Sequence, residues 1–220
     1  MKATMMSMLW MALLAPSVHA AEYSRPMADA NPDVIRLLAK EGDPAKGKET
    51  YGLCRGCHRA DASGKAEAGY PQLAGQHATV IMKQMLDVRS GRRDSPRMHP
   101  FISDEVVPEE AIAHIAAYLR SLPVPDTNGK GNGRMLALGR QLYQRDCAGC
   151  HGKYGEGDGD KFYPRVAGQH EAYLLRESRE SRDQGRRNAN PGMVRILKGY
   201  TDEDLEAVSD YMSRLVPPVP

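Results

Sequence analysis

Four cysteines stand in two pairs along the 220-residue chain. Each pair has a two-residue gap and a following histidine: Cys54-Arg55-Gly56-Cys57-His58 and Cys147-Ala148-Gly149-Cys150-His151. The pattern Cys-x-x-Cys-His is that of a c-type haem attachment site. Two thiols at this spacing add across the two vinyl groups of one porphyrin, and the adjacent imidazole ligates the iron from a short helix beneath the ring. A zinc ribbon also uses paired cysteines, but its knuckles lie about 15–20 residues apart, whereas these motifs are 93 apart. A thioredoxin-like dithiol would need a βαβ setting, and two disulfides would not explain a histidine at both sites. Two covalent haem c groups are therefore expected, held by Cys54 and Cys57, and by Cys147 and Cys150, with His58 and His151 on the irons.

Each iron has a second axial position. Met98 lies in a Pro-rich irregular stretch 40 residues after His58, and Met193 in Asn190-Pro191-Gly192-Met193, 42 residues after His151. A loop methionine at near-equal distance in both halves makes Met98 and Met193 the expected ligands, with His99 the rival to Met98. Met82, Met85 and Met212 read as helix-core residues and Met135 as linker-proximal. His77 and His170 read as helix-entry residues or as supports behind the haem ligands, and His114 as a structural histidine.

The chain repeats itself. Shifted by 93 residues, Cys54–His77 lies on Cys147–His170 with 11 of 24 positions identical, including Tyr70/Tyr163, Pro71/Pro164 and Ala-Gly-Gln-His at 74–77 and 167–170. Gly-Arg-Arg recurs at 91–93 and 185–187. A period of this size marks a duplicated domain. The expected organisation is a signal peptide over 1–20, an N-terminal extension over 21–42, domains over 43–122 and 134–220, and a Pro/Gly/Asn linker over 123–133.

The elements that must position these residues read as helices. Asp43-Pro44 is an N-cap followed by proline at the first helical position. The stretch from His77 to Arg89 places Val80, Ile81, Met85 and Val88 at helical spacing. Glu109 and Glu110 open another helix with an apolar stripe of Ile112, Ile115, Ala116, Leu119 and Leu122. Thr201 to Asp204 resembles a capping box ahead of Leu205, Val208, Met212 and Leu215. The sign-alternating run Arg176–Asp183 reads as a solvated helix face. No segment alternates as a strand does, so the fold class is all-α.

Composition bounds the rest. There are 30 Lys+Arg against 28 Asp+Glu, a formal charge of +2, which excludes a strongly basic nucleic-acid binder. Mean hydropathy is −0.55, which argues against a multi-span membrane protein. Lys2, the apolar run Thr4–Leu14 and Val18-His19-Ala20 form a secretory signal cleaved near Ala20. The apolar run is too short to span a bilayer. Peripheral association with a membrane surface stays open. The single Trp is Trp10, and there are two Phe. A covalently held porphyrin would supply the large apolar body that each half of about 80 residues lacks.

Residues 21–220 resemble tandem class I cytochromes c, most closely the dihaem cytochrome c4 group. The resemblance rests on both Cys-x-x-Cys-His motifs, both Tyr-Pro-x-x-Ala-Gly-Gln-His segments, both Gly-Arg-Arg turns, Met98 and Met193. It implies two all-α domains, each wrapped around one haem c. It also implies that the carbonyls of Pro71 and Pro164 orient His58 and His151. With His and Met on both faces, no substrate can reach the iron without displacing a ligand. The expected function is thus periplasmic electron transfer rather than enzymatic turnover. Expected partners are a quinol-cytochrome c reductase, a terminal oxidase or a periplasmic dehydrogenase. The main alternative is the cytochrome subunit of such a dehydrogenase. A dihaem peroxidase or thiosulfate dehydrogenase is the remaining one, and it would need an open axial site or a cysteine ligand.

Overall fold

The computed structural model describes residues 32–217. The signal segment 1–20 and its cleavage site, and residues 21–31 of the extension, lie outside the described residues. Among the described residues the regular structure is helical, with two isolated β-bridges, Lys65–Tyr70 and Asp158–Tyr163, in place of strands. The described residues form two tandem all-α halves, each carrying one Cys-x-x-Cys-His turn.

The first half contains α1 (Pro32–Leu38), α2 (Pro44–Thr50), the one-turn α3 (Arg55–His58), α4 (Ala78–Arg89) and α5 (Glu109–Ser121). The second contains α6 (Leu136–Leu142), the one-turn α7 (Ala148–His151), α8 (Glu171–Arg182), α9 (Pro191–Leu197) and α10 (Asp202–Ser213). The starts follow from local chemistry. The Asp43 carboxylate accepts from the Ala45 N–H at 2.8 Å, satisfying a donor that has no partner within the helix. Thr201 and Asp204 form a reciprocal capping box on α10.

In each half the helix ahead of the Cys-x-x-Cys-His turn, α2 or α6, crosses the last at a glycine. A Cβ on Gly47 would be driven into the His114 carbonyl of α5, and one on Gly139 into the Ala207 carbonyl of α10. A tyrosine pair seals each crossing: Tyr51 and Tyr118 with ring centroids 5.5 Å apart, and Tyr143 and Tyr211 at 5.6 Å. Tyr51 and Tyr143 are among the largest fully buried side chains. Each hydroxyl donates to the carbonyl that ends a one-turn helix, Arg59 O at 2.9 Å and Gly152 O at 2.6 Å. The crossing therefore holds the Cys-x-x-Cys-His turn in place.

Two sequence expectations meet differences. Within the segment read as an extension, α1 buries Val34 and Leu37 completely in the first core, beside α4 and α5. The run Arg176–Asp183 is not a solvated face, because Glu177, Ser178 and Ser181 are buried. Arg176 and Glu177 find partners in the other half, the Gly69 carbonyl and Arg93, while Arg179 and Arg182 pair with Asp202 of their own half, so the sign pattern alone misleads. The linker is also pinned: Asn128 Nδ2 donates to Gln169 O and Ser213 O, and Gly133 N–H donates to Asp210.

Candidate haem sites and the junction between them

Each cysteine pair flanks a single helical turn, and all four thiols are free and partly buried. Burial pushes the Cys54 thiol up to about 11 and the Cys147 thiol up to about 12. A redox-active dithiol needs the opposite, a depressed pKa.

His58 and His151 sit alike. The Nδ1 of His58 bonds the Pro71 carbonyl at 3.0 Å, and that of His151 bonds the Pro164 carbonyl at 2.9 Å. A carbonyl accepts only, so Nδ1 carries the proton and Nε2 presents a lone pair. Desolvation lowers both pKa values against the raising effect of those carbonyls. A neutral imidazole with a free Nε2 is the form that ligates iron.

Met98 lies just before a 3-10 turn (His99–Phe101) and packs, half-buried, against the first core. His99, its rival, is exposed. Met193 packs against the second core, but it sits in the first turn of α9 rather than in a loop. The Asn190 side chain caps that helix by accepting from the Gly192 N–H at 2.8 Å. The Asn-Pro-Gly run is a helix start here, because asparagine caps and proline fits the first position. Met82, Met85 and Met212 are core residues. The Nδ1 of His114 accepts from the Asp43 N–H at 2.9 Å, a structural bond that ties α5 to the start of α2.

Observations of two kinds fit a porphyrin. A cleft of about 490 Å³ opens beside Cys150, lined also by Arg145, Gly149, Lys161, Tyr163 and Ile196. Next to Pro164, the Arg165 Nε is buried without a partner, and desolvation lowers the guanidinium's pKa. A buried donor of this kind requires an acceptor, and a porphyrin's carboxylates are acceptors.

Two groups of functional residues were missed in the sequence. The repeated glutamines and histidines join the halves. Gln76 and Gln169 each bond the other half's backbone, His77 Nε2 bonds Glu156 O at 2.8 Å, and His170 Nε2 bonds Ser63 O at 2.9 Å. The Gly-Arg-Arg turns supply a second junction. Arg93 and Arg186 both pair with the buried Glu177, at 2.9 and 2.7 Å. Arg186 and Asn188 also reach Gln84, and Asn188 reaches Asp87. Burial alone would raise Glu177, but Arg93, Arg186 and Arg176 outweigh it and hold the carboxyl below its usual range. The only signal available was identity between the two copies, which does not distinguish a junction from a core.

Comparison with known proteins agrees with this geometry. Residues 136–215 match the family model for cytochrome c, and residues 42–119 match that for cytochrome c oxidase, cbb3-type, subunit III. The chain is 34% identical over 199 residues to a thiosulfate dehydrogenase electron acceptor from Stutzerimonas stutzeri (strain A1501), covering 81% of this chain and 90% of that one. It is 29% identical over 202 residues to cytochrome c4 from Azotobacter vinelandii, covering 83% and 93%. The crystal structure of reduced recombinant cytochrome c4 from Pseudomonas stutzeri superposes with a TM-score of 0.71 at 25% identity, over 80% of this chain and all of that one. The two cysteine pairs fit two covalently bound haem c groups.

Proposed function

We propose a periplasmic shuttle role for this chain, which belongs to the dihaem cytochrome c4 family of electron carriers. Its two haems would pass single electrons from a quinol-oxidising complex or a periplasmic dehydrogenase to a terminal oxidase. The observation that carries the reading is the duplicated pair His58–Pro71 and His151–Pro164, each with a core-packed methionine 40 or 42 residues further on.

When bound, each haem supplies one-electron ferric/ferrous chemistry. The protein's residues do the rest. Cys54, Cys57, Cys147 and Cys150 tether the groups as thioethers. His58 and His151 would ligate through Nε2, while the Pro71 and Pro164 carbonyls fix the ring orientation. Met98 and Met193 would supply the second ligands, exclude substrates from the iron and favour the ferrous state. With both ligands retained in either oxidation state, little would rearrange on electron transfer. The interdomain bonds hold both halves in one arrangement.

Export through residues 1–20 would place the protein in the periplasm. No helix among the described residues is long and apolar enough to cross a membrane. A second reading rests on the relative named as a thiosulfate dehydrogenase electron acceptor: the chain is the electron-acceptor subunit of one dedicated dehydrogenase rather than a free shuttle. Stopped-flow reduction of the oxidised holoprotein tests the choice. Reduction by thiosulfate dehydrogenase far faster than by a quinol-oxidising complex selects the second reading. Reduction by thiosulfate alone would make the chain an enzyme and defeat both.

A further inference from the structure

The junction contains two hydrogen-bond chains, each running from one half's proximal histidine to the other half's glutamine. In the first, His58 Nδ1–H donates to the Pro71 carbonyl at 3.0 Å. That carbonyl and the Gln72 N–H belong to one planar peptide unit. The Gln72 N–H donates to Gln169 Oε1 at 3.0 Å, across the junction. In the second, His151 Nδ1–H donates to the Pro164 carbonyl at 2.9 Å, and the Arg165 N–H of the same peptide unit donates to Gln76 Oε1 at 2.9 Å.

The amide orientations are dictated by their surroundings. Gln169 Oε1 also accepts from the His170 N–H, and Gln76 Oε1 from the His77 N–H. Each Nε2 donates in return, Gln169 to Gln72 O at 2.9 Å and Gln76 to Arg165 O at 3.0 Å. Flipping either amide would set an NH2 group against two N–H donors and an oxygen against a carbonyl. Gln72 and Gln169 are buried, so the first chain lies where such bonds are strong and polarise one another.

We propose that Gln169 and Gln76 are positioning residues that tune the haem potential of the opposite half. An acceptor on the peptide N–H draws negative charge onto the peptide's carbonyl oxygen. That oxygen then binds the histidine Nδ1–H more strongly, and the imidazole gains anionic character. A more basic ligand favours the ferric state, so each glutamine lowers the potential of the haem it does not share a domain with. Docking of the halves and reduction of the irons are thereby coupled, and coupling is reciprocal: reduction weakens the junction. This inference rests on the proposed ligation by His58 and His151.

The test uses the holoprotein with both haems, each potential assigned to its haem by NMR of the partly reduced protein. Gln169→Met keeps the length and apolar stem but removes the acceptor. It should raise the potential of the His58 haem and leave that of the His151 haem nearly unchanged. Gln76→Met should do the reverse. Gln169→Glu keeps an oxygen acceptor and should not reproduce the rise. A looser junction alone would move both haems together. Shifts that are equal, absent or confined to the substituted half overturn the proposal, as does a rise in Gln169→Glu equal to that in Gln169→Met. Should the Met variants fail to fold, the His58 Nδ1–H resonance of the reduced protein decides between Gln169→Glu and wild type. It should move in the variant, and an unmoved signal overturns the relay. His58→Gly separates the two readings. A first haem that stays low-spin refutes the ligation itself, whereas a lost low-spin signal with no crossed shift refutes only the relay.

Discussion

Met98 and Met193 carry the sharpest residue-level expectation. Replacing either with alanine should abolish the methionine-to-ferric-iron absorption band of one haem and lower that haem's potential, because the thioether favours ferrous iron. Optical redox titration of each variant checks this, and an unchanged band excludes the residue as a ligand. A second expectation concerns His170. Its Nδ1 accepts from the Gly129 N–H at 2.9 Å, which requires the neutral ring. Desolvation depresses its pKa, with Arg59 assisting and the Ser63 carbonyl and Glu67 opposing. The unfolded chain therefore takes up the proton first, at about pH 6.5. Stability is present above that pH and is lost as pH falls below it. The Tm of wild type should fall more steeply below about pH 6.5 than that of His170→Gln, and parallel curves would contradict the assignment. The cysteines and proximal histidines were legible because haem attachment demands that spacing. The role of His170 was not, since a helix-entry histidine carries no mark of the carbonyl it meets 107 residues away.

At the scale of elements, the two glycine crossings and α1 are the supports to probe. Gly139→Ala should destabilise the protein by about 1–3 kcal/mol, the usual cost of overpacking, since its methyl would meet the Ala207 carbonyl rather than a flexible side chain. Leu37→Ala should cost about 2–5 kcal/mol, as large-to-small core changes do, if α1 completes the first core as its burial indicates. Chemical denaturation of the holoprotein measures both, and a neutral Leu37→Ala would make α1 an appendage. Most helices were readable from caps and spacing: Asp43, Pro108 and Thr201 stand at the starts of α2, α5 and α10. Two were not. In α9, the Asn-Pro-Gly run suggests a turn as readily as a cap. The seven residues of α1 gave too short an apolar pattern to separate a helix from a tail.

For the whole molecule, the junction is what turns two small domains into one unit. Arg93 and Arg186 share Glu177 out of water, and removing one charge from such a cluster leaves the others uncompensated. Glu177→Gln should cost about 3–5 kcal/mol and split a single unfolding transition into two, which calorimetry would show. The duplication itself was visible as an offset of 93 residues, but how the copies face each other was not. Periodicity reports which face of a helix is apolar, whereas the junction is polar and reads like surface. The most direct measurement of the central claim is a spectroelectrochemical titration of the holoprotein with haem per chain quantified. Two low-spin haems at positive potential, both showing the methionine band, are expected. A high-spin component, or one haem at much lower potential, would contradict electron transfer through two closed sites.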